Sequence, residues 1–181
     1  MLKLIGKYKS VLVFILTFLG SYFLLSLLYG FYLKVDESTV FYPDFITHQV
    51  ALQSAAVVDF LGYNTQIARY PGENTVKLIV NGRFLVRVVE GCNGMSIIIL
   101  FCAFVLSFFN GWARTLFFIL VGGLAIYIMN VLRIAALALA VYEYPAYTNF
   151  MHEIAFPVVI YGFVFLLWVF WVSRFKGKKR A

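Results

Sequence analysis

Charge is scarce in this chain. Asp, Glu, Lys and Arg make up only 13% of its 181 residues, while 63% are hydrophobic and 19% aromatic. No soluble domain of this length buries that much apolar surface, so lipid is the solvent for most of the chain. Histidine is nearly absent, with His48 and His152 alone. His152-Glu153 lacks the second His of a zinc-protease helix, and no Gly-rich phosphate loop is present, so no metal or cofactor is expected. No pair of membrane-embedded Asp residues exists for an aspartyl intramembrane protease. A nucleic-acid partner needs a soluble basic face, and there is none. Of the two cysteines, Cys102 follows Cys92 by ten residues. That is about 15 Å along a helix, too far for a disulfide. Cys102 reads as a small apolar residue, which leaves Cys92 as a free thiol.

The apolar residues are gathered into four runs near spanning length, 11–33, 94–109, 115–141 and 154–173, the third interrupted only by Arg133. The fold class expected is mostly α, a polytopic four-helix membrane bundle. The first run has basic residues before it, but it is too long for a cleaved signal peptide and reads as a retained anchor. The remaining charges set orientation. Lys3, Lys7, Lys9, Arg114, Arg174, Lys176, Lys178, Lys179 and Arg180 occupy segments without a single acid. All eight acids lie in the other segments. The positive-inside rule then places both termini in the cytoplasm and 34–91 and 143–153 outside. The net charge of +7 is thus a topology signal.

Residues 34–91 read as a small extracytoplasmic α/β insert. Phe45–Leu61 carries apolar residues near helical spacing but is too polar to span, which predicts a helix on the membrane surface or over the bundle. Two β-rich runs, 76–80 and 83–89, flank Asn81-Gly82, a strong signal for a hairpin with a type I′ turn. Pro71-Gly72 marks a turn before it. The second strand delivers the chain to Glu90-Gly91-Cys92-Asn93-Gly94-Met95-Ser96.

That stretch puts a thiol at the mouth of a membrane helix. Cys92 is eighteen residues from Asn110, Arg133 eighteen from Thr115, and His152 twenty-one from Ser173. At about 1.5 Å per residue these give roughly 27, 27 and 31 Å of rise, similar depths near the outer interface. A thiolate is favoured at a helix N-terminus and beside cations. Arg133 supplies a permanent charge and His152 a base or imidazolium partner. Gly91 and Gly94 allow close backbone approach. Donors near Asn93–Met95 suit an oxyanion. Arg83 and Arg87 on the hairpin suit an acidic peptide, and the exposed strand edge suits an extended one. Each residue has a plainer reading as well: a packing cysteine, a snorkelling arginine, an interfacial histidine, a hairpin that only shields the thiol.

Glu90-Gly91-Cys92-Asn93-Gly94-Met95, Asn130-Val131-Leu132-Arg133-Ile134 and Phe150-Met151-His152, in this order at the ends of successive membrane helices, resemble the exosortase/archaeosortase family of membrane cysteine transpeptidases. The similarity covers about residues 76–172, and the short length is similar to the exosortase F subgroup. The resemblance implies Cys92 as nucleophile with Arg133 and His152 completing the site; Asn93, Gly94 and Asn130 are expected to shape it, and Glu90, with Arg83 and Arg87, to position substrate. It implies, as partners, tail-anchored secreted proteins bearing a C-terminal sorting signal, membrane lipid, and a glycan or lipid as acyl acceptor. It implies a multi-pass protein of the bacterial inner membrane. The residue after the Cys is often Ser in the family and is Asn93 here. The rival readings are a non-enzymatic membrane scaffold or polysaccharide-export accessory, and a thiol-redox membrane protein, against which the missing second external Cys counts.

Overall fold

A computed structural model describes residues 2–35, 43–69 and 75–175. The Pro71-Gly72 turn, the acids Asp36, Glu37 and Glu73 and the basic cluster Lys176–Arg180 lie outside the described residues. The chain is mostly helical. Helix α1 spans Leu2–Val35, α2 Phe45–Phe60, α3 Met95–Ser107 and α4 Trp112–Glu143. A 3-10 turn at Pro145–Tyr147, the short α5 (Thr148–Phe150) and a π-helical turn at Met151–Ala155 lead into α6 (Phe156–Phe175).

Three helical segments among the described residues are long and apolar enough to cross a membrane: Tyr8–Val35, Trp112–Glu143 and Pro145–Arg174. Four were expected. The helix where the fourth was placed, α3, has only 13 residues. That is roughly 20 Å of rise, short of the about 20 residues that crossing requires. Its ends explain the length. Gly94, in the left-handed region at φ 84°, precedes its first turn, and Phe108 leaves the helix at φ −109°, ψ 50°. The apolar run continues through Phe109, but hydropathy records the run and not where the backbone stops being helical.

Helix α2 starts at Asp44, whose side chain accepts from the Thr47 N–H at 3.0 Å, an N-cap that satisfies one free donor of the first turn. Strands β1 (Thr65–Arg69), β2 (Thr75–Val80) and β3 (Arg83–Val89) form an antiparallel sheet in the order β1-β2-β3. Asn81 (φ 49°) and Gly82 (φ 76°) join β2 to β3. Positive φ at both central positions is what a type I′ turn requires. Strand β1 was not anticipated. Thr65-Gln66-Ile67-Ala68-Arg69 is short and weakly apolar, and it is recruited by β2 through Ile67 opposite Leu78.

Two cores share α4. One joins Val50, Ala51 and Val58 of α2, Val76, Leu78, Val86 and Val88 of the sheet, and Val131, Ile134, Ala135 and Ala138 of α4. Here α2 lies over the bundle, where Ser54 Oγ donates to the Val131 carbonyl at 3.3 Å. The other core joins Phe101 and Val105 of α3, Ile126 of α4 and Val164 and Trp171 of α6. The Trp171 indole N–H donates to the Phe108 carbonyl at 3.1 Å, and Phe104 stacks on Trp168 at 4.4 Å. Helix α1 packs on α3, with Phe14 against Phe108 at 4.9 Å, and turns Leu16, Leu19, Phe23 and Leu28 outward. At 32 residues, α4 is about 48 Å long, more than a roughly 30 Å hydrocarbon layer. One part of it can therefore lie in lipid while another packs under the sheet. Asn130 sits between the two parts.

Candidate active site at the junction of two cores

The thiol is positioned by a sharp change of backbone. Strand β3 ends at Val89, a single 3-10 turn covers Glu90–Cys92, and the left-handed Gly94 starts α3. Cys92 is half-buried. Asn93, 1% exposed, ties three segments together. Its Oδ1 accepts from the Met95 N–H at 3.0 Å, capping α3. Its Nδ2 donates to the Tyr29 hydroxyl of α1 at 2.6 Å and to Thr47 Oγ1 of α2 at 2.9 Å. The Met95 N–H, one of the anticipated oxyanion donors, is therefore already engaged.

Asn130 fixes Cys92 from the other side. It is fully buried, and its Nδ2 donates to the Cys92 carbonyl at 2.9 Å. The contact is possible because residue 94 is glycine: a Cβ there would lie 3.1 Å from Asn130 Cγ. Asn130 Oδ1 is buried with no hydrogen-bond partner. A native interior rarely leaves such an atom unpaired.

Arg133 lies on α4 less than one turn beyond Asn130. At about 100° per residue the two are some 60° apart around the helix, so Arg133 flanks the Asn130–Cys92 contact on the α6 side. It is half-buried and lines a cleft of about 200 Å³ between α4 and α6, together with Met129, Leu132, Ala136, Phe156, Val159 and Ile160. Its Nε is buried without a partner. His152 is exposed on the π-helical turn that packs on α4, four residues before Phe156. No hydrogen bond or ion pair joins Cys92, Arg133 and His152 among the described residues. The structure links Cys92 to α4 through Asn130, with Arg133 three residues further along the helix, and leaves His152 exposed.

The hairpin arginines are further away. Strand residues advance about 3.3 Å each and 3-10 residues about 2 Å, which puts Arg87 roughly 13 Å and Arg83 roughly 26 Å from Cys92 along the chain. Arg83 stacks over Tyr142 at 5.8 Å. Arg87 and Lys77, opposite each other in register, both flank Phe84, at 5.9 and 5.0 Å. Glu90 is partly buried, and its carboxyl is pushed above the ordinary range, first by burial and then by the neighbouring Asp44 carboxylate.

Three members of this layer were not anticipated from the sequence: Tyr29, Asp44 and Thr47. Asp44 is 1% exposed, with Oδ2 unpartnered, and Thr47 is fully buried. Asp44-Phe45-Ile46-Thr47 before an apolar-periodic stretch is a readable capping signal. Tyr29 carries no such signal inside an apolar run. Among the described residues no group of His, Cys, Asp and Glu could hold a metal ion.

The model of the transmembrane exosortase family matches residues 9–172 of this chain. No curated protein and no solved structure matches it.

Proposed function

The chain belongs to the transmembrane exosortase family, and from that premise we propose that it is a cysteine transpeptidase whose nucleophile is Cys92. The Cys92 thiolate attacks the scissile carbonyl carbon of a secreted protein held in the membrane by a C-terminal helix and basic tail. A thioester forms, the C–N bond breaks, and the amine leaves with a proton from His152. An acceptor, which is water or a hydroxyl or amine on a lipid or glycan, then attacks the thioester and restores the thiol. The Arg133 guanidinium stabilises the charge that develops on the carbonyl oxygen. Asn93, Gly94 and Asn130 hold the thiol's backbone. The work is done at the outer face of the bacterial inner membrane, with both termini cytoplasmic, as the acid-free basic segments suggest.

One observation carries this reading: the 2.9 Å hydrogen bond from Asn130 to the Cys92 carbonyl, which ties the thiol to the stretch of α4 that bears Arg133. His152 is the least supported member, since it is exposed. Catalytic contacts do tighten on substrate binding. The test is to trap the intermediate. After incubation with a tail-bearing substrate, mass spectrometry should find a hydroxylamine-labile acyl adduct on Cys92. Unmodified Cys92 in a preparation that is actively removing tails, under trapping conditions, would sink the thioester.

A further inference from the structure

Asn93 has no freedom in how its amide points. The Met95 N–H can only donate, so Asn93 Oδ1 faces it, at 3.0 Å. Both N–H groups of Nδ2 are then committed to oxygens, the Tyr29 hydroxyl at 2.6 Å and Thr47 Oγ1 at 2.9 Å. The Thr47 side is fixed to the bundle: Asp44 caps its helix, and Ser54, two turns on, donates to the α4 backbone. The Tyr29 side comes from α1, in which no residue of Tyr8–Val35 is fully buried. A tyrosine near the end of a membrane helix ordinarily turns its hydroxyl to head groups and water. Tyr29 turns it inward, to an amide that is 1% exposed. Its ring stacks on Tyr32 at 5.9 Å, and the Tyr32 hydroxyl meets the start of α2, donating to Asp44 Oδ1 at 3.5 Å and accepting from the Ile46 N–H at 3.4 Å. The end of α1 is thereby built into the layer that holds Cys92. We propose that Tyr29 is a positioning residue for Cys92, so that α1 is part of the catalytic apparatus and not only a membrane anchor. The hydroxyl holds the Asn93 amide, the amide caps α3 through Met95, and the turn before that cap carries the thiol. Without the oxygen, a buried N–H of Asn93 is left unpaired, and the amide must swing toward another acceptor. The swing changes the line along which sulfur meets the scissile carbonyl, and misplacement by about 1 Å costs up to about 100-fold in rate. Acting through Asn93, Tyr29 sets how well the thiol is aimed and not how well substrate binds.

This role rests on the transpeptidase reading, and the test separates the two. The whole protein is purified in mild detergent, and tail removal from a tail-bearing substrate is measured for the wild type, Cys92→Ala, Tyr29→Phe and Thr47→Val. Tyr29→Phe keeps the ring and its stacking on Tyr32 and removes one oxygen. Thr47→Val removes the other acceptor of Asn93 at similar volume, and it carries the test if Tyr29→Phe does not accumulate. Tyr29→Phe should lower kcat about tenfold or more and leave KM within about twofold, the split expected when aim is lost and binding is kept. Alkylation of Cys92 by iodoacetamide, which asks only for an accessible thiolate, should keep its wild-type rate and pH profile. A wild-type kcat, a rise in KM in place of a fall in kcat, or alkylation falling in step with kcat would each overturn the role. Loss of activity in Cys92→Ala beside a fully active Tyr29→Phe overturns the Tyr29 role alone. Tail removal that survives Cys92→Ala overturns the transpeptidase and the Tyr29 role together.

Discussion

Asn130 and Gly94 are a matched pair, and the match can be broken from either side. Gly94→Ala meets two penalties: a φ of 84° that side chains rarely adopt, and a Cβ 3.1 Å from Asn130 Cγ. Strain of this kind costs about 1–3 kcal/mol, so the variant should melt earlier and remove tails poorly. Asn130→Leu keeps volume but leaves the Cys92 carbonyl without its donor. About 1–3 kcal/mol of destabilisation is expected, with a fall in kcat larger than any change in KM. Wild-type kcat in Asn130→Leu would show that the contact does not position the thiol. Arg133→Lys keeps charge and loses the planar fork, and should be severely impaired in the same assay. If Lys supports wild-type processing, Arg133 supplies only charge. Glu90 gives a pH signature of opposite sign to an ordinary paired carboxylate. Its folded pKa is raised by burial and by Asp44, so the folded state holds its proton more tightly than the unfolded chain does. Stability from this group is greatest at acidic pH and falls as pH rises from the ordinary carboxylate range through the raised folded value. Glu90→Gln should flatten that part of the stability profile, measured by thermal unfolding from acidic to neutral pH. An unchanged slope would mean that Glu90 contributes nothing to it.

Between elements, α3 packs closely on α4 at Gly122. A Cβ there would run into the ring of Phe101, which is fully buried and held against Phe118 at a centroid distance of 5.6 Å. Gly→Ala inside a helix ordinarily gains up to about 1 kcal/mol, whereas forcing volume into a packed core costs about 1–3 kcal/mol. Because the Phe101 ring is fully buried and must shift within a packed core, overpacking wins and Gly122→Ala should lower the melting temperature. The same α3–α4 contact shows how far the sequence could be read. The apolar runs of α1, α4 and α6 were visible because lipid-facing helices are apolar on nearly every side. The Asn81-Gly82 turn was visible because few residue pairs tolerate positive φ twice. The shortness of α3 was hidden, since it is set by the backbone angles of Gly94 and Phe108. Strand β1 was hidden because it depends on its neighbour β2. Cys92, Asn93, Gly94, Asn130 and Arg133 could be singled out locally, but the layer of Tyr29, Asp44 and Thr47 around them is assembled from distant segments.

Across the whole molecule, α4 is the shared spine: Ile126 belongs to the core with α3 and α6, and Val131 onward to the core under the sheet. Cys92 approaches this spine at Asn130, where the two cores meet. The distribution of charge predicts that the sheet side is external. A reporter placed at Asn81 should therefore register outside and one at Arg114 inside. A cytoplasmic signal at Asn81 would place the thiol on the wrong side for secreted substrates. The central claim is that Cys92 cuts. The direct measurement is co-expression with a protein bearing a C-terminal motif, membrane helix and basic tail, following the tail by immunoblot with wild type and with Cys92→Ala. The tail should be lost with the wild type and retained with Cys92→Ala, while both proteins accumulate equally in the membrane. Tail removal by Cys92→Ala at the wild-type rate would contradict the account.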